Sequence, residues 1–286
     1  MKILGTLVAL AAAASGLAQE QIDPTFLRTN LASATEAPSD LSTTTCHYKP
    51  LFGIGAPHAS TPAGIARYGE VAVDPGGTCR MVSYPGEEQV YVVLEGAGAV
   101  TYGGVRVAVK KEDYLYIPPT VPHTLAAAAR PLHAIVMGFR THAAGPIPDR
   151  PTVANIEDVP LQAVRGHPLS AQYRLLMGDV TSKRDRIAAA HLLTSLFQME
   201  IAPGGTNQPH HHEREEEIYL VLDGHGEMVA GSGLDGVEGR FPAHSGDAYF
   251  FRTNCTVGYY SAPDVKTRIL AVRSWYPGME RAGMEH

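Results

Sequence analysis

Basic residues are scarce in this chain: 23 of 286 are Lys or Arg against 29 acidic ones, for a formal net charge of −6. No Lys/Arg run gathers them, and without a basic cluster nucleic acid is an unsuited partner. Long apolar runs are also missing from the body of the chain, so no segment there can cross a bilayer as a helix. Cysteine is limited to Cys46, Cys79 and Cys255. None has CxxC spacing, which argues against a thiolate metal site, and an odd number leaves one disulfide and one thiol, or no disulfide at all. Charged residues of all kinds reach only 18%, whereas Gly (29) and Pro (21) are plentiful. That balance favours strands and turns over long helices.

The N-terminus differs from the rest. Met1-Lys2 gives a positive start, an apolar stretch follows, and Gly16-Leu17-Ala18 supplies a small-x-small site. Residues 1–18 therefore read as a secretory signal peptide, which places the protein in the secreted or periplasmic space with no membrane association once the peptide is removed. Residues 19–52 are rich in Thr, Ser and Ala and weakly patterned, as in an extended arm. Asn254-Cys255-Thr256 forms an N-glycosylation sequon, relevant only in a eukaryotic source.

From there the chain repeats itself. Glu87 to Gly96 aligns with Glu215 to Gly224, and Asp113-Tyr114-Leu115-Tyr116-Ile117 aligns with Asp247-Ala248-Tyr249-Phe250-Phe251. The offset is 128 residues at the glycines and 134 at the aspartates, so the second copy carries six extra residues, assigned to a hairpin at residues 231–236. Each copy alternates short apolar strands with Gly/Pro turns. The expectation is an all-β chain of two tandem jelly-roll (double-stranded β-helix) barrels. The first spans 53–140 and the second 171–276, joined by a Pro-rich linker at 141–170 and followed by a tail at 277–286.

The chemistry is concentrated in Gly204 to Gly224, where His210, His212 and Glu217 follow the pattern G-x5-H-x-H-x4-E-x6-G. Positions i and i+2 of a strand face the same way, so His210 and His212 project together and His211 away. The spacer 213–216 reads as a bend that lets Glu217 open the next strand and turn inward. Two imidazoles and a carboxylate suit Mn, Fe, Ni, Cu or Zn. The run resembles the first signature of the cupin family, and in detail the manganese-binding strand pair of germins and oxalate decarboxylases. The whole arrangement is similar to that of ureidoglycine aminohydrolases, exported bicupins with one metal-free barrel, although their Glu-x-His-x3-His run is missing here.

The two copies depart from the family pattern in opposite ways. Where the second has His210, His212 and Glu217, the first has Val82, Tyr84 and Gln89, and it keeps only His123 at the family's last ligand position. No metal is expected there. In the second copy that last position falls on Val257, so the resemblance implies a three-donor centre with open positions, which suits catalysis better than structure. Tyr249, Phe251, Val257 and Tyr259 are the candidate pocket walls. Phe197, Met199 and Ile201 should line the barrel, with Gln198 and Glu200 on its outside. Arg252, Arg268 and Arg273 could meet an anion, although a single Arg near a strand end more often lies at the surface.

The function so implied is an exported metal-dependent bicupin holding one divalent transition metal, Mn or Fe ahead of Zn, Ni or Cu. It would act on a small polar or carboxylate-bearing molecule as an oxidoreductase, lyase or aminohydrolase. The alternative is a non-catalytic cupin that binds or stores a small molecule or metal. No general base stands out in the sequence, and assembly into a homo-oligomer is left open.

Overall fold

The computed structural model describes residues 25–141, 145–232 and 238–279. The expected signal peptide, most of the hairpin insertion and all but three residues of the tail lie outside them. The described chain is almost entirely strand, with one 3-10 turn at Ile156–Asp158.

Each copy folds a large and a small sheet around its own apolar interior. In the first, six strands run in the order Val153–Asn155, Asp113–Ile117, Glu87–Glu95, Leu132–Arg140, Ile65–Val73 and Cys46–Gly53, facing a three-stranded sheet. In the second, seven run in the order Phe26–Asn30, Asp247–Phe251, Glu215–Asp223, Thr267–Trp275, Leu193–Ile201, Ala171–Asp179 and Ile187–Ala190, facing a four-stranded sheet. Nearly unbroken runs such as Val90-Tyr91-Val92-Val93 and Ile218-Tyr219-Leu220-Val221 suit strands covered on both faces, one by the barrel interior and one by the other barrel. One apolar cluster unites Tyr68, Val92, Tyr114 and Met137 of the first copy with Leu196, Leu220, Phe250 and Val272 of the second. The two barrels thus share a core.

The segments read as arm and linker are part of the sheets. Phe26–Asn30 precedes the first barrel yet pairs with Asp247–Phe251 of the second, while Val153–Asn155 precedes the second yet pairs with Asp113–Ile117 of the first. Each exchange ends in the same clasp. Asn30 Nδ2 donates to Asp247 Oδ1 at 2.9 Å, and Asn155 Nδ2 donates to Asp113 Oδ1 at 2.7 Å. Cys46–Gly53 lies within the expected arm in all but its last residue and forms the outer strand of the first barrel's large sheet. Its Cys46 is disulfide-bonded to Cys79, and Cys255 is a buried thiol.

A second pair of contacts is reciprocal across the shared core. Glu88 accepts from the backbone N–H groups of His191, Leu192 and Leu193 at 2.7, 2.8 and 2.8 Å, and from Tyr116 Oη at 3.0 Å. Glu216, its counterpart in the repeat, accepts from Ala63 and Gly64, each at 2.8 Å. Both carboxyls are fully buried, and burial raises the pKa of each against the opposing pull of those N–H donors.

Candidate metal centre

His210 ends the strand Thr206–His210, the chain bends through residues 211–214, and Glu217 is the third residue of Glu215–Asp223. The bend lies two residues earlier than the sequence suggested, since Glu215 and Glu216 already belong to the strand. Ligand atoms of His210, His212 and Glu217 all lie within 4.8 Å of one another. Among the described residues this is where three such donors converge.

The donors are prepared for a cation. His210 Nδ1 donates to the Gln208 carbonyl at 2.8 Å, which leaves Nε2 with its lone pair for the site. Burial lowers the His210 pKa and favours the neutral, coordinating imidazole. His212 Nε2 stands 3.4 Å from Glu217 Oε2, and both atoms are buried without a hydrogen-bond partner. Burial works against the Glu217 charge, but His212, Arg273 and His210 outweigh it and hold the pKa below the usual carboxylate range. Polar atoms buried without partners in this way are costly unless something binds them. A divalent transition metal fits this donor set.

The site opens on a cavity of about 40 Å³, room for a few water molecules, lined by the three donors with Tyr173, Asn207, Tyr219, His167 and Arg273. Arg273 is not the surface residue its place in the sequence suggested. Its Nη1 donates to Glu215 at 3.2 Å, and its buried Nε, lacking a partner, is 3.9 Å from Glu217. His167 and Tyr173 were missed: His167 comes from the linker, and no local pattern marks either.

The expected pocket walls lie elsewhere. Tyr249, Phe251, Val257 and Tyr259 are at most 1% exposed and belong to the packed interior of the second barrel, not to the cavity wall. Tyr249 stacks on Phe251, which meets Tyr219 edge-on. They face inward as alternation requires, but large side chains close the space around them. Phe197 does line the cavity, with Met199 and Ile201 in the interior cluster. Gln198 and Glu200 lie on the outer face, Gln198 buried and Glu200 paired with Lys266 and Arg174. Arg268 reaches Glu112 at 3.5 Å, away from the metal donors.

Strand pairing supports the alignment of the copies. Val257 stands opposite His210 just as His123 stands opposite Val82. In the first barrel His123 is 1% exposed, its Nδ1 donating to the Val121 carbonyl at 2.9 Å and its Nε2 lying 3.1 Å from Tyr91 Oη.

The two barrels also exchange an arginine across one strand pair. Arg67 faces Gly138 in the first, whereas Ser195 faces Arg273 in the second. Arg67 binds Glu87 through Nε and Nη2, and Asp40 and Tyr84 Oη through Nη1 at 3.0 Å. Its guanidinium lies 4.1 Å over the Tyr84 ring. Tyr84 and Gln89 are the counterparts of His212 and Glu217, so a fixed side-chain cation sits where the other barrel gathers its metal donors. Gly138 leaves room for it: an added Cβ would come within 2.6 Å of Gln89 and Glu87 and 2.8 Å of Arg67.

A family model described as the cupin domain matches residues 69–138 and again 197–273. Among solved structures, protein YlbA from E. coli superposes with a TM-score of 0.64 at 15% identity, covering 88% of this chain and 92% of that one. A Bacillus subtilis oxalate decarboxylase studied for its Mn(II) centres superposes with a TM-score of 0.65 at 11% identity, over 87% of this chain and 77% of that one. At such identities the likeness is one of fold. An uncharacterized protein of Methanocaldococcus jannaschii is 45% identical over 38 residues, 13% of this chain and only 30% of that protein's length.

Proposed function

Because the chain belongs to the cupin family, with both barrels matched, we propose that it is an exported bicupin enzyme that holds one divalent transition metal in its second barrel. Its substrate would be a small carboxylate-bearing molecule. The observation that carries this reading is the pair of orphaned, buried donor atoms on His212 and Glu217 beside His210. Mn or Fe is the preferred metal: the N/O donor set suits either, and Mn(II) is named for the oxalate decarboxylase that shares the fold.

When bound, the ion supplies Lewis-acid polarisation of a substrate oxygen. The chain's own residues do the rest. His210 and His212 give neutral donors and Glu217 gives charge. Arg273 offers an anion its guanidinium, and a cavity of about 40 Å³ suits a ligand of a few heavy atoms. Charge explains why metal and anion go together. Glu215, Glu217 and Arg273 sum to a formal −1, which repels a carboxylate, and a divalent ion turns that to +1.

Elemental analysis of untagged protein should give about one such metal per chain, lost in His210→Ala with the fold kept. Two metals per chain, or unchanged content in that variant, would sink the assignment. Stoichiometric metal without turnover of any small acid would instead favour a binding protein. Export is supported by the leader-like residues 1–18 and the Cys46–Cys79 disulfide. Secreted material should begin near Gln19, and an intact Met1 on cytosolic protein would contradict export.

A further inference from the structure

His167 reaches the cavity from the connection between the barrels, a position no barrel strand supplies. Its Nδ1 lies 2.9 Å from Asn207 Oδ1 and 2.9 Å from Tyr173 Oη, and Tyr173 Oη donates to the same Oδ1 at 3.1 Å. The other end of the amide fixes its orientation, since Asn207 Nδ2 donates to Tyr219 Oη at 2.9 Å. An amide oxygen only accepts, so Nδ1 carries the ring proton and Nε2 keeps its lone pair. Asn207, Tyr173 and Tyr219 are all at most 3% exposed, so bulk water does not compete for this lock. The His167 ring stands edge-on to His210 with centroids 5.5 Å apart, yet His167 lies outside the cluster of three donors. It is a fixed acceptor beside the metal donors without being one of them.

Arg273 lines the same cavity and can only donate. A plain carboxylate can accept from the guanidinium but has no proton to donate to Nε2 of His167. A carboxylate with a hydroxyl on the adjacent carbon offers a partner to each, and an acid of two or three carbons suits a cavity of about 40 Å³. Resting on the metal-site reading above, we infer that the cavity selects a small 2-hydroxy carboxylate. Its carboxylate faces Arg273 and its hydroxyl donates to Nε2 of His167.

The test uses the full-length mature protein loaded with Mn(II), with glycolate and acetate as calorimetric probes. They differ by the hydroxyl alone. Wild type should bind glycolate about tenfold or more tightly than acetate, the effect of one hydrogen bond to a fixed acceptor. His167→Phe and His167→Ala both remove Nε2, one keeping the ring volume and one not. Each should cut the preference several-fold, with metal content and acetate affinity unchanged in a folded protein. Comparing variants with wild type separates His167 from any chelating advantage of glycolate on the metal. A preference as large in both variants as in wild type overturns the inference, as does loaded wild type that binds neither probe or binds both alike. Wild type that takes up no metal defeats the metal-site reading itself, and this inference with it.

Discussion

Val257 shows how one side chain can decide what a site is. It stands directly across the strand pair from His210, where cross-strand neighbours lie roughly 4.5–5.5 Å apart. At 1% exposure it is part of the packed interior. Val257→His therefore has two effects that can be read separately. The larger ring overpacks the interior, and the metal-free protein should lose about 1–3 kcal/mol of stability. The same ring brings a third imidazole within reach of the donors, so the gap between loaded and metal-free thermal midpoints should widen relative to wild type. A gap that stays the same in a folded variant would mean that position 257 does not address the metal donors at all.

At the scale of elements, the exchanged strands and their Asn–Asp clasps tie each barrel to the segment that precedes the other. Asn30 does double duty: its Nδ2 serves Asp247 while its Oδ1 accepts from the Ala32 N–H at 2.8 Å. Asn30→Ala should cost about 1–2 kcal/mol by loss of these two bonds. In a double-mutant cycle with Asp247→Ala the two losses should fall short of additive, because they share one interaction. Strict additivity would show that the clasp contributes nothing. None of this was legible in the sequence. Strands of five and three residues carry too few positions for an alternating pattern, and their partners lie about 217 and 42 residues away. The long inner strands were legible, because double burial makes them apolar throughout. So were His210, His212 and Glu217, whose spacing is local. His167 and Tyr173 were not, because they reach the cavity from separate segments, and Arg273 was named as an anion contact without anything local to set it apart from Arg252 and Arg268. Alternation correctly turned Tyr249, Phe251, Val257 and Tyr259 inward, but it cannot tell a cavity wall from a packed interior.

For the molecule as a whole, the reciprocal carboxyls make the two barrels depend on each other. Glu88 and Glu216 each receive backbone N–H groups from the opposite copy, so neither barrel can part from its neighbour without leaving buried donors unmet. Burial raises both pKa values above the usual 4.5. For a carboxyl whose folded pKa lies above its unfolded one, the stabilisation present below the unfolded value is lost as pH rises through the folded value. These two groups should therefore favour the folded state most near pH 4.5 and less towards neutrality. The double variant Glu88→Gln/Glu216→Gln cannot titrate there, and each Gln turns an amide donor towards a backbone N–H. It should be less stable than wild type, by an amount greatest near pH 4.5 and shrinking as pH rises. Denaturant midpoints of both proteins across that range check this, because titrations common to the two cancel in the difference. A difference that grows with pH would mean that the two carboxyls are held ionised, with their N–H partners outweighing burial.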